Sequence, residues 1–136
     1  MSTTYSTDAE VYLRAPLVGK ALARVNAERA DASLSTTDLD TYRVEAQRQL
    51  LVDLAARGIT SDLITDAAAL REPEVCLTAA MLFEAATIRS DAQTATPDVF
   101  GAQAKRWRSA YESAITSARP TEGVKSAGQS FEWERG

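Results

Sequence analysis

The sequence predicts an all-α fold, a small helical bundle with a central buried helix and an extended C-terminal arm. Three observations predict it. Alanine, the best helix former, supplies 25 of the 136 residues. Apolar residues recur at three- and four-residue spacings in several separate stretches, the period of a helix face. One stretch, Val75–Ile88, is apolar at eleven of its fourteen positions, and a helix apolar nearly all round has to be covered on several sides. The length suits one domain of about 100–150 residues. Residues 1–118 are expected to form it, and residues 119–136 a flexible tether and an extended arm.

Each element carries local signals. Thr7-Asp8-Ala9-Glu10 reads as a capping box that opens a short helix, which Pro16 interrupts. Leu17, Val18, Ala21, Leu22 and Val25 then mark a second helix towards Ala30, with Gly19 as its weak point. Residues 31–37 are small and polar and predict a loop ending in a cap. From Asp38 to Arg57 the stripe Leu39, Tyr42, Ala46, Leu50 and Leu54 predicts the clearest amphipathic helix, stopped by Gly58 in the left-handed conformation. On its outer face Glu45 is expected to pair with Arg48, and Asp53 with Arg57.

The connection Ile59–Glu72 is expected to hold a helical turn at Asp66–Leu70, and Pro73 to open the buried helix. Within that helix Glu84 stands out, and its expected role is an ion pair or a subunit contact rather than a functional acid. Thr96-Pro97-Asp98 predicts the start of a last helix, whose stripe runs through Phe100, Ala104, Trp107, Tyr111, Ala114 and Ala118. Arg119-Pro120 stops it. Beyond, Gln129–Arg135 alternates as a strand does, placing Phe131, Trp133 and Arg135 on one side. Those three are the candidate partner-binding residues, in an arm that either folds back onto the bundle or adds to a partner.

Missing residues narrow the function. With no His, imidazole bases, Ser-His and Cys-His nucleophile systems and imidazole-ligated metal sites are excluded. Cys76 alone gives neither an internal disulfide nor a Cys-x-x-Cys site. The six glycines are scattered singly, so no phosphate-cradling loop or dinucleotide fingerprint occurs. No catalytic, cofactor-binding or metal-ligating residue is assigned, and no cofactor or enzymatic activity is expected. No apolar stretch reaches a membrane span, and the first residues lack the basic flank and apolar run of a secretory signal, so no membrane partner is expected. A net charge of −4 argues against a broad nucleic-acid-binding surface, although Lys105, Arg106 and Arg108 form a local basic cluster. Leu, Ile, Val and Phe number only 27, a thin supply of large side chains that points to burial completed by other subunits.

The order of these signals resembles that of the head-tail connector proteins of tailed bacteriophages, also called adaptor or head-completion proteins. Tyr5-Ser6-Thr7-Asp8 with Val11 looks like their capped opening helix. Asp38-Leu39 through Ala46, Leu50, Leu54, Ala55, Arg57 and Gly58 looks like their long helix with its terminal stop. Leu70-x-x-Pro73 with Val75, Ala79, Leu82 and Phe83 is similar to their buried helix, and Trp107, Ala110 and Tyr111 to their closing one. The loop around Asp31–Thr37 is longer than in some relatives. The resemblance implies a virion protein of the neck, assembled in the bacterial cytoplasm: a homo-oligomeric ring, typically matching the twelvefold portal, that joins the DNA-filled head to the tail. Its partners would be other copies of itself, the portal protein and a tail or stopper protein, without specific nucleic-acid binding. The alternative reading is a small helical regulatory or nucleic-acid-binding module using the basic face of the last helix.

Overall fold

The computed structural model describes residues 4–60, 67–90 and 99–117, with side chains in the second segment described from 68 to 87. Among the described residues the fold is all-α, with five helices and no strand: α1 (Asp8–Arg14), α2 (Val18–Asp31), α3 (Leu39–Ala56), α4 (Arg71–Ser90) and α5 (Val99–Ser117), with a 3-10 turn at Ala67–Leu70 before α4.

The local chemistry of the chain sets most of these boundaries. The Thr7 hydroxyl accepts from the Glu10 backbone N–H, and the Glu10 carboxylate accepts from the Thr7 N–H, so the capping box forms as the sequence predicts. Asp38 caps α3 by accepting from the Thr41 N–H at 2.9 Å, and those hydrogen bonds, from the Thr41 hydroxyl as well as its backbone, hold the Asp38 carboxyl below its ordinary pKa. At the other end Gly58 adopts φ +87°, which lets its N–H reach the Ala55 carbonyl at 3.0 Å and the Ile59 N–H the Leu54 carbonyl at 2.9 Å. Two carbonyls that the helix leaves open are thereby satisfied.

The loop between α2 and α3 is tied at both ends. Asn26 exchanges hydrogen bonds with the Thr37 backbone, at 3.1 and 2.8 Å, while the Arg29 guanidinium holds the Ser35 carbonyl. Ser33 takes a positive φ of 62° at the turn itself. These ties bring the start of α3 back beside α2, so the long loop leaves the helical hairpin intact.

Two expectations about α4 and α3 are corrected. Pro73 does not open α4, which starts two residues earlier because the 3-10 turn runs directly into it. Pro is tolerated there because a first-turn N–H has no intrahelical partner to lose. Asp53 does not pair with Arg57, as tertiary partners win. Asp53 accepts from the Tyr111 hydroxyl and from Gln49, while Arg57 reaches Glu112 and Thr116 on α5. Glu45 and Arg48 do pair, at 3.0 Å.

The centre of the molecule is α4. Every side chain from Pro73 to Ala80 is buried, with Leu82, Phe83 and Ala86 continuing the core. The other four helices all pack on it, α5 most extensively as the second arm of an α4–α5 hairpin. They contribute Val11 from α1; Val18, Ala21 and Val25 from α2; Leu39, Ala46, Leu50 and Leu54 from α3; and Ala104, Trp107, Tyr111 and Ile115 from α5. The start expected at residues 96–98 and the arm beyond residue 117 lie outside the described residues.

Gly58 and Gly19 give a paired prediction. A Cβ at Gly58 meets nothing within 4 Å, so Gly58→Ala is opposed by its positive φ alone and should cost about 1 kcal/mol. Gly19→Ala sits in the first turn of α2, with the Tyr12 ring at an ordinary 3.7 Å, and should stabilise by up to about 1 kcal/mol. Urea denaturation of the two variants should show opposite shifts of the midpoint.

Candidate functional site

Two regions bring together polar side chains that are not consumed by ordinary helix-surface pairing. The first is buried. Glu74, fully inaccessible in the first turn of α4, accepts from the Ser6 N–H at 2.7 Å, the Ser6 hydroxyl and the Tyr5 N–H at 3.1 Å. Arg43 of α3, also buried, faces the same segment. Its guanidinium donates to the Ser6 carbonyl, the Thr4 hydroxyl, Asp8 at 2.7 Å and Asp40 at 2.6 Å. Residues 4–6 are thus riveted between α3 and α4, and Arg71 adds a bond to the Tyr5 carbonyl.

The electrostatics of this cluster are structural. Burial pushes the Glu74 carboxyl above its ordinary pKa, against the lowering effect of its three hydrogen bonds and of Arg43. Both Glu74 oxygens and all three guanidinium nitrogens of Arg43 have protein partners. Sequence reasoning missed both residues. Their signal was present, because Arg43 falls on the stripe of α3 four residues after Leu39, and Glu74 directly precedes the apolar run.

The second region is a cleft of about 490 Å³ on the α4–α5 hairpin. Gly101, Ala104 and Thr87 contribute its small side chains, and Lys105, Glu84 and Glu112 its charged rim. Glu84 is half-exposed and carries the ion pair expected of it: both oxygens receive Arg108 of α5, at 2.7 and 3.0 Å. That two-point contact raises the Arg108 pKa and engages one cation of the basic cluster. A second, Arg106, lies over the Trp107 ring at 5.3 Å, with Arg14 at 5.9 Å from the same ring. The three basic residues therefore do not form a free uniform face.

Cys76 lies buried in α4, its thiol pushed up to about 12 chiefly by burial and then by the neighbouring Glu72 carboxylate. A thiol held that high is not a nucleophile at neutral pH. Glu72 itself is engaged by Arg14, which lowers its pKa. Among the described residues no group of three or more His, Cys, Asp or Glu side chains could hold a metal ion, and no helix is long and apolar enough to cross a membrane. The predicted partner-binding residues Phe131, Trp133 and Arg135 lie outside the described residues.

No family model, curated protein or solved structure matches this chain.

The buried cluster makes a signed prediction. The Glu74 carboxyl is more basic in the folded than in the unfolded protein, so the folded state binds more protons through the pH window between the two values. The contribution of Glu74 to stability is therefore greatest at low pH and falls as pH rises above the usual carboxylate range. Glu74→Ala should lower stability by about 1–3 kcal/mol, by leaving the Ser6 and Tyr5 donors unpaired. Urea titrations should give a larger gap from wild type at pH 4 than at pH 7; a gap that widens with pH contradicts the assignment.

For Cys76 the expected outcome is protection. Thiol-specific labelling at pH 8 should be negligible in the native protein and complete in urea, so that native labelling measures opening of the core. Rapid labelling of the folded protein would contradict the buried placement.

Proposed function

We propose that this protein is a structural subunit of a phage-like particle, forming a ring that joins the portal of the DNA-filled head to the tail and lines the DNA conduit. The observation that carries the reading is the agreement between motif order and packing role. The capped opening segment is locked to the start of the central helix, the long helix ends at Arg57-Gly58, the apolar helix is enclosed, and the Trp107–Tyr111 helix closes the bundle.

Further support comes from the surface and the charge. Leu13 is 80% exposed on α1, and Val52 on α3 and Val99 at the start of α5 are also open, positions at which neighbouring subunits of a ring would complete the burial. A chain of net charge −4 would repel DNA electrostatically, which favours sliding through a conduit over phosphate binding. The pairing of Arg108 with Glu84 and the stacking of Arg106 on Trp107 favour this reading over a nucleic-acid-binding module. In it the arm with Phe131, Trp133 and Arg135 engages the portal or the adjacent subunit, by adding an extended segment through backbone hydrogen bonds while alternate side chains fill pockets.

The experiment is assembly with and without the arm. The full chain should oligomerise as its concentration is raised in sedimentation, and should enter particles when produced with the portal and tail proteins. Deleting residues 128–136 should leave a folded monomer and abolish incorporation. Normal incorporation of the truncated chain would overturn the role of the arm. A full chain that stays monomeric at every concentration and never enters particles would overturn the reading as a whole.

A further inference from the structure

The cleft on the α4–α5 hairpin has a size typical of a binding site, since pockets that enclose ligands run about 300–1,000 Å³ and this one holds about 490 Å³. Small residues of α5, Gly101, Ala104 and Ser109, line it between the longer charged side chains of Lys105, Arg108 and Glu112. Where the neighbouring stripe presents Phe100, Trp107 and Tyr111 to the core, the cleft receives Gly101 and Ala104. A groove floored by small residues accepts large side chains from elsewhere.

We propose that the occupant of this cleft is the chain's own C-terminal arm, residues 129–135, seated through Phe131, Trp133 and Arg135. Three arguments carry the assignment. The first is reach. Thirteen residues lie between Ser117, the end of α5, and Phe131, a path of fourteen residue steps. Extended, they span up to about 46 Å. The cleft lies five to sixteen residues back along α5, from Glu112 to Gly101, which is roughly 8–24 Å of helix.

The second argument is periodicity. Alternate side chains of an extended segment stand about 6.6 Å apart, while helix residues one turn apart are about 5–6 Å apart at their Cβ atoms. Phe131 and Trp133 therefore fall over successive turns of α5. The third is chemistry. The two aromatics meet the apolar floor, and Arg135, on their side of the arm, meets the Glu112 carboxylate at one end of the rim, whose existing contact with Arg57 is long, at 3.9 Å. A tether of this length holds the arm near its seat at an effective concentration in the millimolar range, well above that of a second copy at micromolar protein.

Site-directed disulfide formation in the full-length protein tests the seat. Arg135→Cys, on the seated side of the arm, is combined in turn with Lys105→Cys, Ser109→Cys and Glu112→Cys, one cysteine on each turn of α5, so that the test does not depend on register, while Phe131 and Trp133 keep the arm on its seat. Cys76 stays in place because it is buried. Under mild oxidation at least one pair should close within a single chain ten or more times faster than the control pair Arg135→Cys with Lys20→Cys on α2. Adding Phe131→Ala and Trp133→Ala should return it to the control rate.

Two results overturn the proposal: all three pairs closing no faster than the control, or disulfides that form between chains with a yield that rises with concentration, which would assign the cleft to a second copy. The measurement is made on the isolated protein. Failure of ring formation or particle entry would leave the seat standing, and failure of the seat would leave the connector reading to its own experiment.

Discussion

A helix that is apolar nearly all round loses free energy on every side left in water, and α4 is such a helix. Each fully buried Leu, Val or Phe side chain contributes about 1.5–3 kcal/mol relative to exposure, and α4 buries Val75, Leu77, Leu82 and Phe83 together with its alanines. That gain is available only when partners stand on several sides at once. The other four helices provide them, and the arrangement of the bundle follows from covering α4 more than from any preference of the covering helices for one another. Alanine makes close cover possible. Ala46, Ala79, Ala80, Ala86 and Ala104 are all buried, and small side chains at helix contacts allow axes to approach at the short end of the usual 8–10 Å.

Apolar contact is non-directional and does not by itself decide how a covering segment is placed. The polar contacts make that decision. Glu74 and Arg43 seize the backbone of residues 5–6 from opposite elements, which sets where the chain enters α1. The Tyr111 hydroxyl does the same for α5 by reaching Asp53 on α3, so the buried ring has its polar edge satisfied and two helices acquire a relative register. Burying Glu74 and Arg43 carries a desolvation cost, offset because each of their polar atoms is aimed at a defined donor or acceptor.

These two layers were not equally legible in the sequence. Capping is local chemistry, which is why Thr7 with Glu10 and the Gly58 stop could each be read from a few neighbouring residues and are found in those roles, while the cap of α3 falls on Asp38, one residue beyond the loop expected to end in it. The burial of α4 from Val75 to Ala86 was legible for a similar reason, because a continuous apolar surface has no alternative fate in water. Glu84 was legible as a paired acid, though its partner Arg108 stands 24 residues away and could not be named.

The long-range polar contacts were a different matter. Glu74 meets Ser6 across 68 residues and Arg43 meets Ser6 across 37, so no window of sequence contains both partners. Asp53 shows how local reading fails. A four-residue ion pair with Arg57 is worth only about 0.2–0.5 kcal/mol, less than a hydrogen bond from a buried phenol, so the tertiary partner takes the carboxylate.

The same competition governs the arm. In the proposal Phe131, Trp133 and Arg135 share one side of the arm, and one side can fill one set of pockets at a time. On the proposed seat, the cleft of α4 and α5 and any portal or neighbouring subunit therefore compete for the same three side chains. The apparent affinity for an external partner is reduced in proportion to the fraction of time the arm is free. A weak contact made in passing would not draw the arm out, whereas a partner offering backbone pairing in addition to pockets would.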